Sequence, residues 1–100
     1  MIKHVVLWKL HDFAEGNDKD KNMDIVIKEL YEIQKELPLL RALDCHKSIK
    51  TGGHFWDLIL NMEFDSFEDL EKYQVYPRHK ALHDFAVKVR VDRAVVDYNL

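Results

Sequence analysis

Strict alternation opens the chain. Over residues 2–10, Ile2, His4, Val6, Trp8 and Leu10 share one face, and Lys3, Val5, Leu7 and Lys9 share the other. A period of two predicts a strand. Its first face is apolar but for His4 and its second is half apolar, so both are expected to contact protein. HDFAEGNDKDK follows as a polar loop around Gly16 and Asn17. Over about residues 20–36 the spacing changes to three and four. Met23, Ile27, Leu30, Ile33 or Gln34, and Leu37 form one stripe, which predicts an amphipathic helix. Pro38 ends it, because proline lacks the donor and restricts the residue before it.

The second half repeats the same grammar. Residues 40–49 read as a strand, and Thr51, Gly52 and Gly53 as a turn. Residues 55–64 alternate most cleanly. Trp56, Leu58, Leu60, Met62 and Phe64 lie on one side, and Asp57, Ile59, Asn61 and Glu63 on the other. Ser66 can cap a helix running to about Gln74, with Asp69 placed to favour its dipole. Pro77 restarts the helix, since proline suits a first turn. Ala81, Leu82, Phe85, Ala86 and Val89 supply the buried stripe of this second piece, and residues 90–98 close the chain as a strand.

The order β-α-β-β-α-β predicts a ferredoxin-like α+β fold, a four-stranded antiparallel sheet with both helices on one face. One hundred residues suit a single domain, residues 1–100. Two helices cover only one face of such a sheet. The apolar face carrying His4, Val6 and Trp8 with Trp56, Leu58 and Leu60 would leave a large patch in water. A second copy packed sheet against sheet covers it, so the chain is expected to be a homodimer.

Composition narrows the function classes. An apolar fraction of 47% and a charged fraction of 33% describe a globular chain. No apolar run approaches the roughly 20 residues of a membrane helix, and the N-terminus lacks the pattern of a signal peptide. The single cysteine, Cys45, has no internal partner, so a reducing cytoplasm is the expected location. Net charge is −3 with no basic stripe, which argues against nucleic acid. No phosphate loop, CxxC pair, HExxH or EF-hand is present, and no cofactor is expected.

MIKHVVLWKL, FWDLILNMEFDSFEDLEKYQVYPRHKAL and VVDYNL together resemble the stress-responsive A/B-barrel (Dabb) domain over essentially the whole chain. The resemblance implies a dimeric α+β barrel with a cavity between the sheet and the long second helix. Members include a plant polyketide cyclase whose pocket uses a histidine of the first strand, a tyrosine of the second helix and a histidine ending the proline motif. His4, Tyr73 and His79 stand at those positions. The cyclase's further third-strand histidine is matched here by Leu58. The histidine that many members carry before the motif's proline is Tyr76 here. Related dimeric barrels also host oxygenases.

Each candidate has a functional and a structural reading. His4 is either a hydrogen-bonded core residue or a general base, its ordinary pKa near 6.5 suiting either proton state. Tyr73 either plugs the helix–sheet seam or donates to a substrate carbonyl or enolate; Tyr76 reads as packing. His79 either contacts a ligand at the mouth of the sheet or is solvated. His79 and His83, four apart on one helix, have zinc spacing with Asp84 adjacent but no third ligand fixed, so His83 reads as solvated or capping. Trp8, Leu58, Leu60 and Phe85 are cavity walls or dimer core. Cys45 has no activating neighbour. The ligand class is a small apolar, oxygenated molecule, phenolic or polyketide-like. A cavity of about 300 Å³ or more beside His4, Tyr73 and His79 would favour ligand binding. A filled interior would favour a structural dimer without chemistry.

Overall fold

The computed structural model describes all 100 residues. In chain order the elements are β1 (Ile2–Leu10), β2 (Phe13–Ala14), β3 (Asn17–Asp18), α1 (Lys19–Glu36), β4 (Ala42–Lys47), β5 (Leu58–Phe64), α2 (Phe67–Gln74), α3 (Pro77–Val89) and β6 (Arg90–Asn99). Four strands form one antiparallel sheet in the order β4-β5-β1-β6. The architecture is ferredoxin-like, as the element order predicts. No helix is long and apolar enough to cross a membrane.

Local chemistry sets the helix ends where the sequence places them. The Asp18 carboxylate accepts the Lys21 N–H at 2.8 Å and starts α1. Ser66 Oγ accepts the Asp69 N–H at 3.2 Å and starts α2. Pro77 occupies the first turn of α3, where a missing N–H leaves no bond unmade. On α1 the buried stripe is Asn22, Met23, Val26, Leu30 and Ile33, with Ile27 only half-buried. Fully burying a side chain such as Val26 or Leu30 contributes about 1.5–3 kcal/mol.

The helices cover the face of β1 and β5 that is most apolar. Val6, Trp8, Leu10, Leu58, Leu60, Met62 and Phe64 belong to one core cluster with the buried residues of α1, α2 and α3. This corrects the expected dimer geometry. The face carrying His4, Val6 and Trp8 is closed by the chain's own helices and is not free for a second sheet. The uncovered face is the other one, where Val5 pairs with Asn61 and Val96, and Leu7 with Ile59 and Ala94. Val5, Leu7 and Ile59 are half-buried there, and Val96 is 61% exposed. A helix layer selects the more continuous apolar face, which leaves the half-apolar face for solvent or a partner.

The expected alternation slips before β5. The alternation puts Asp57 among the outward residues, yet it is 3% exposed. Its carboxylate accepts the Leu10 N–H at 2.8 Å, and Lys19 Nζ lies 3.4 Å from it. That acceptor is needed because the β1–β6 register shifts between Lys9 and Leu10, leaving this N–H outside the regular ladder. Drawing Asp57 inward turns Trp56 outward, away from the Leu58 side. Trp56 borders a shallow groove with Leu7 and Ile59, and Lys9 Nζ sits 5.1 Å from its ring centre. The strand begins at Leu58, later than expected.

The polar loop also holds structure. Phe13–Ala14 and Asn17–Asp18 pair as a two-residue ladder. Glu15 and Gly16 turn it with φ of 53° and 76°, the left-handed pair that a tight hairpin demands. Buried Asn22 ties this hairpin to α1, donating to the Ala14 carbonyl at 3.0 Å.

Replacing Asp57 by Ala strands the Leu10 N–H and is expected to lower stability by about 1–3 kcal/mol, with Asp57→Asn, which keeps an acceptor, losing less. Urea unfolding checks this. An unchanged midpoint for Asp57→Ala would contradict the role.

Candidate functional site

Three elements aim polar groups into one cleft between the sheet and the helices. His4 stands mid-strand on β1 and is 3% exposed. Its Nδ1 meets the Asp97 carboxylate, brought alongside by the β1–β6 register in which His4 and Asp97 are direct partners. A carboxylate only accepts, so Nδ1 carries the proton and Nε2 is the basic nitrogen of the neutral ring. Phe64 packs edge-on to His4 at 6.5 Å between ring centres, and against Tyr73 at 5.3 Å. Tyr73, in the last turn of α2, packs in turn against His79 at 4.3 Å. His79 Nδ1 donates to the Gln74 carbonyl at 3.1 Å, so it too keeps Nε2 free.

Burial shapes the proton states. It is the main cause lowering His79 below the ordinary histidine value; the Gln74 hydrogen bond works the other way, and His83, His4 and Arg93 add smaller depressions. His79 is therefore neutral at pH 7. Burial pushes the Tyr73 phenol far above its usual range, so it remains a donor at any pH near neutrality. Burial, with the Asp44 charge beside it, pushes the Cys45 thiol up to about 12. An inert thiol is what the sequence leads one to expect.

The cleft holds about 50 Å³, and His4, Trp8, Leu60, Tyr73 and His79 all line it. Among the residues singled out from sequence, these five are thus brought together. Leu58 and Phe85 are not on its wall; Phe85 borders a separate depression with Ile25 and Ala81. His83 is exposed but reaches the mouth, where His79 and His83 also edge an open bowl of about 450 Å³ with Gln74, Lys80 and Asp84. The cleft falls short of about 300 Å³ and has room for about three or four waters. No group of three or more His, Cys, Asp or Glu side chains is arranged to hold a metal ion.

Sequence reasoning missed Asp97, Arg90 and Arg93. Their signal was the pairing of the terminal strands. Antiparallel β1 and β6 put Asp97 beside His4 and Arg93 beside Trp8 on the same face. Arg90 and Arg93 both line the cleft, and the Arg90 guanidinium lies 5.4 Å from the Trp8 ring centre.

Residues 2–100 match the family model of the Stress responsive A/B Barrel Domain. The chain belongs to that family. DABB1, a stress-response A/B barrel domain-containing protein of Arabidopsis thaliana, is 30% identical to this Dabb chain over 98 residues. The match covers 98% of the Dabb chain and 46% of the relative, so the chain spans about half the length of the curated relative it matches. A dimeric protein of unknown function with a ferredoxin-like fold, from Bacteroides fragilis, superposes with a TM-score of 0.75 at 25% identity, covering 99% and 95% of the two chains. A hydroxynitrile lyase from Passiflora edulis superposes at 0.79 and 13% identity, covering 99% and 92%. At that identity it shares the fold with the Dabb chain and no more.

A histidine with a depressed pKa binds fewer protons folded than unfolded. Its contribution to stability is present above the ordinary value of 6.5 and is lost as pH falls below it. His79→Gln is therefore expected to flatten the decline in Tm between pH 7 and pH 5. Parallel Tm–pH curves for the variant and the parent would refute the assignment.

Proposed function

We propose that the chain is a homodimer in which each cleft binds a small carbonyl compound and moves a proton on it without a cofactor. One observation carries the chemistry: the Asp97–His4 pair, Tyr73 and His79 converge on a single buried cleft. A carboxylate that fixes the tautomer of an imidazole, leaving Nε2 free, is the arrangement of an oriented general base. His4 Nε2 takes a proton from the carbon next to the carbonyl. The electron pair moves onto the carbonyl oxygen, and the Tyr73 hydroxyl donates to the enolate that forms. His79 Nε2 holds the ligand's polar end. The apolar walls Val6, Leu60 and Met62 keep the imidazole and the developing charge away from water, where fixed dipoles act most strongly.

The volume of 50 Å³ supports a second reading. Ligand pockets commonly reach about 300–1,000 Å³, so a closely filled interior also fits a structural dimer without chemistry. The first reading needs only the reacting group and one small terminus in the cleft, with the remainder of the ligand in the adjoining bowl. Exchange of carbon-bound protons separates the two. Ethyl acetoacetate and phenylacetone in D2O are expected to lose their α-protons faster with the protein than in buffer. His4→Ala should reduce the enzymatic rate by about 10²–10⁴-fold, and Asp97→Asn should also reduce it by freeing the tautomer. Exchange at the buffer rate with the parent protein, or full activity in both variants, would sink the acid–base reading.

The homodimer reading rests on the uncovered half-apolar sheet face and on the dimeric state of relatives such as the Bacteroides protein. Val5, Leu7, Ile59 and Val96 would meet their copies across a two-fold axis. Light scattering is expected to give about twice the 11.9 kDa chain mass at micromolar concentration. Leu7→Lys, which places a charge in that face, should yield a folded monomer. A monomeric parent would contradict the assembly.

A further inference from the structure

We infer that the cleft is selective for ligands ending in a carboxylate, held between Arg90, Arg93 and the Trp8 indole N–H. This rests on the small-molecule reading of the same cleft and names the ligand class it would take. The first observation is an imbalance of charge. Arg78 is paired with Glu29 and Glu36, and Arg41 Nε lies 3.7 Å from Asp65. Arg90 and Arg93 line the cleft, yet neither guanidinium is in an ion pair or a hydrogen bond to the protein. The carboxylate on the same face of β6, Asp97, is taken up by His4, so the two cations stand unanswered here.

The second observation is an orphan donor. Trp8 Nε1 is the one buried side-chain polar atom without a hydrogen-bond partner. A buried N–H lacking an acceptor is destabilising, and it is the kind of group a ligand oxygen satisfies. Two arginines neighbour Trp8. Arg93 is its direct partner across the β1–β6 ladder, and Arg90 stacks over its ring. Burial and the neighbouring Arg93 charge both disfavour the cation at Arg90, and an anion between the two relieves that penalty. Guanidinium groups match the planar fork of a carboxylate. The cleft's volume admits such a small terminus.

His4 and Trp8 are four residues apart on β1, so their Cα atoms are separated by about 13 Å. The anion-binding end is therefore distinct from the Asp97–His4 end. A ligand would lie with its carboxylate at Trp8 and its carbonyl towards His4 and Tyr73.

Benzoate, its neutral isostere benzamide and inorganic phosphate test this by NMR titration of the ¹⁵N-labelled dimer. Trp8 and Trp56 give two indole N–H signals, and Trp8→Phe assigns them. Benzoate is expected to shift the Trp8 signal and to bind at least tenfold tighter than benzamide. Its affinity should fall as NaCl is raised from 20 to 300 mM. Arg93→Gln, at an exposed position, should remove most of that preference, and Arg41→Gln, outside the cleft, should leave it intact. Equal binding of benzamide, tighter binding of phosphate, or an unchanged preference in Arg93→Gln overturns the carboxylate assignment while leaving the acid–base reading standing. No binding of benzoate overturns the carboxylate assignment as well, and the proton-exchange measurement decides the acid–base reading separately.

Discussion

The position of β1 between β5 and β6 is the constraint on which the site depends. A histidine at 3% exposure needs a partner, and no residue near it in sequence supplies one. The partner comes from 93 residues away because the two terminal strands run antiparallel with Ile2 opposite Asn99. The same register puts Arg93 opposite Trp8, so one ladder builds both ends of the cleft. On its other side β1 pairs with β5, which contributes Leu60 and Met62 to the wall and Phe64 behind His4 and Tyr73. A shift of one residue in either ladder would turn every one of these side chains to the wrong face.

Periodicity made the elements legible but could not say what covers each sheet face. Both faces of β1 carry apolar residues, and alternation alone does not reveal which one the helices take. That choice is tertiary, and assigning the wrong face to the partner followed from it. Trp56 shows a second limit. Its place in an alternating run predicted the inner face, but the unpaired Leu10 N–H recruits Asp57 inward and reverses the parity there. His4, Tyr73 and His79 were legible through the family resemblance, and the structure gathers them in one cleft. Asp97, Arg90 and Arg93 were not, because a residue in a closing strand has no local signature of its partner. Counting register along the two terminal strands would have found Asp97 and Arg93.

The two faces of the one sheet carry different sets of side chains. The helix-covered face holds the imidazoles, the phenol and the arginines. The open face holds Val5, Leu7, Ile59 and Val96, none of which touches the cleft. Inward and outward residues alternate, so the proposed association and the proposed chemistry would draw on different positions of the same strands. Substitutions on the open face would therefore test the proposed assembly while the cleft remains built.

The break between α2 and α3 explains how Tyr73 and His79 come to share a site. On one continuous helix, six residues at about 100° each would set them about 120° apart around the axis and about 9 Å along it. They could not then stack. Pro77 cannot donate within a preceding helix and disfavours helical backbone at Tyr76, which instead takes φ −60° and ψ 129°. The chain turns there, and His79 in the new first turn folds back onto Tyr73 at 4.3 Å. The turned segment is held in place. Tyr76 donates to Glu36 at 2.8 Å, and Arg78 pairs with Glu29 and Glu36, both on α1. The charged surface between α1 and α3 thus fixes the angle at which α3 leaves the break, and that angle sets the mouth of the cleft. The proline in the middle of a helical run is accordingly the feature that converts two ordinary helix residues into neighbours over the sheet.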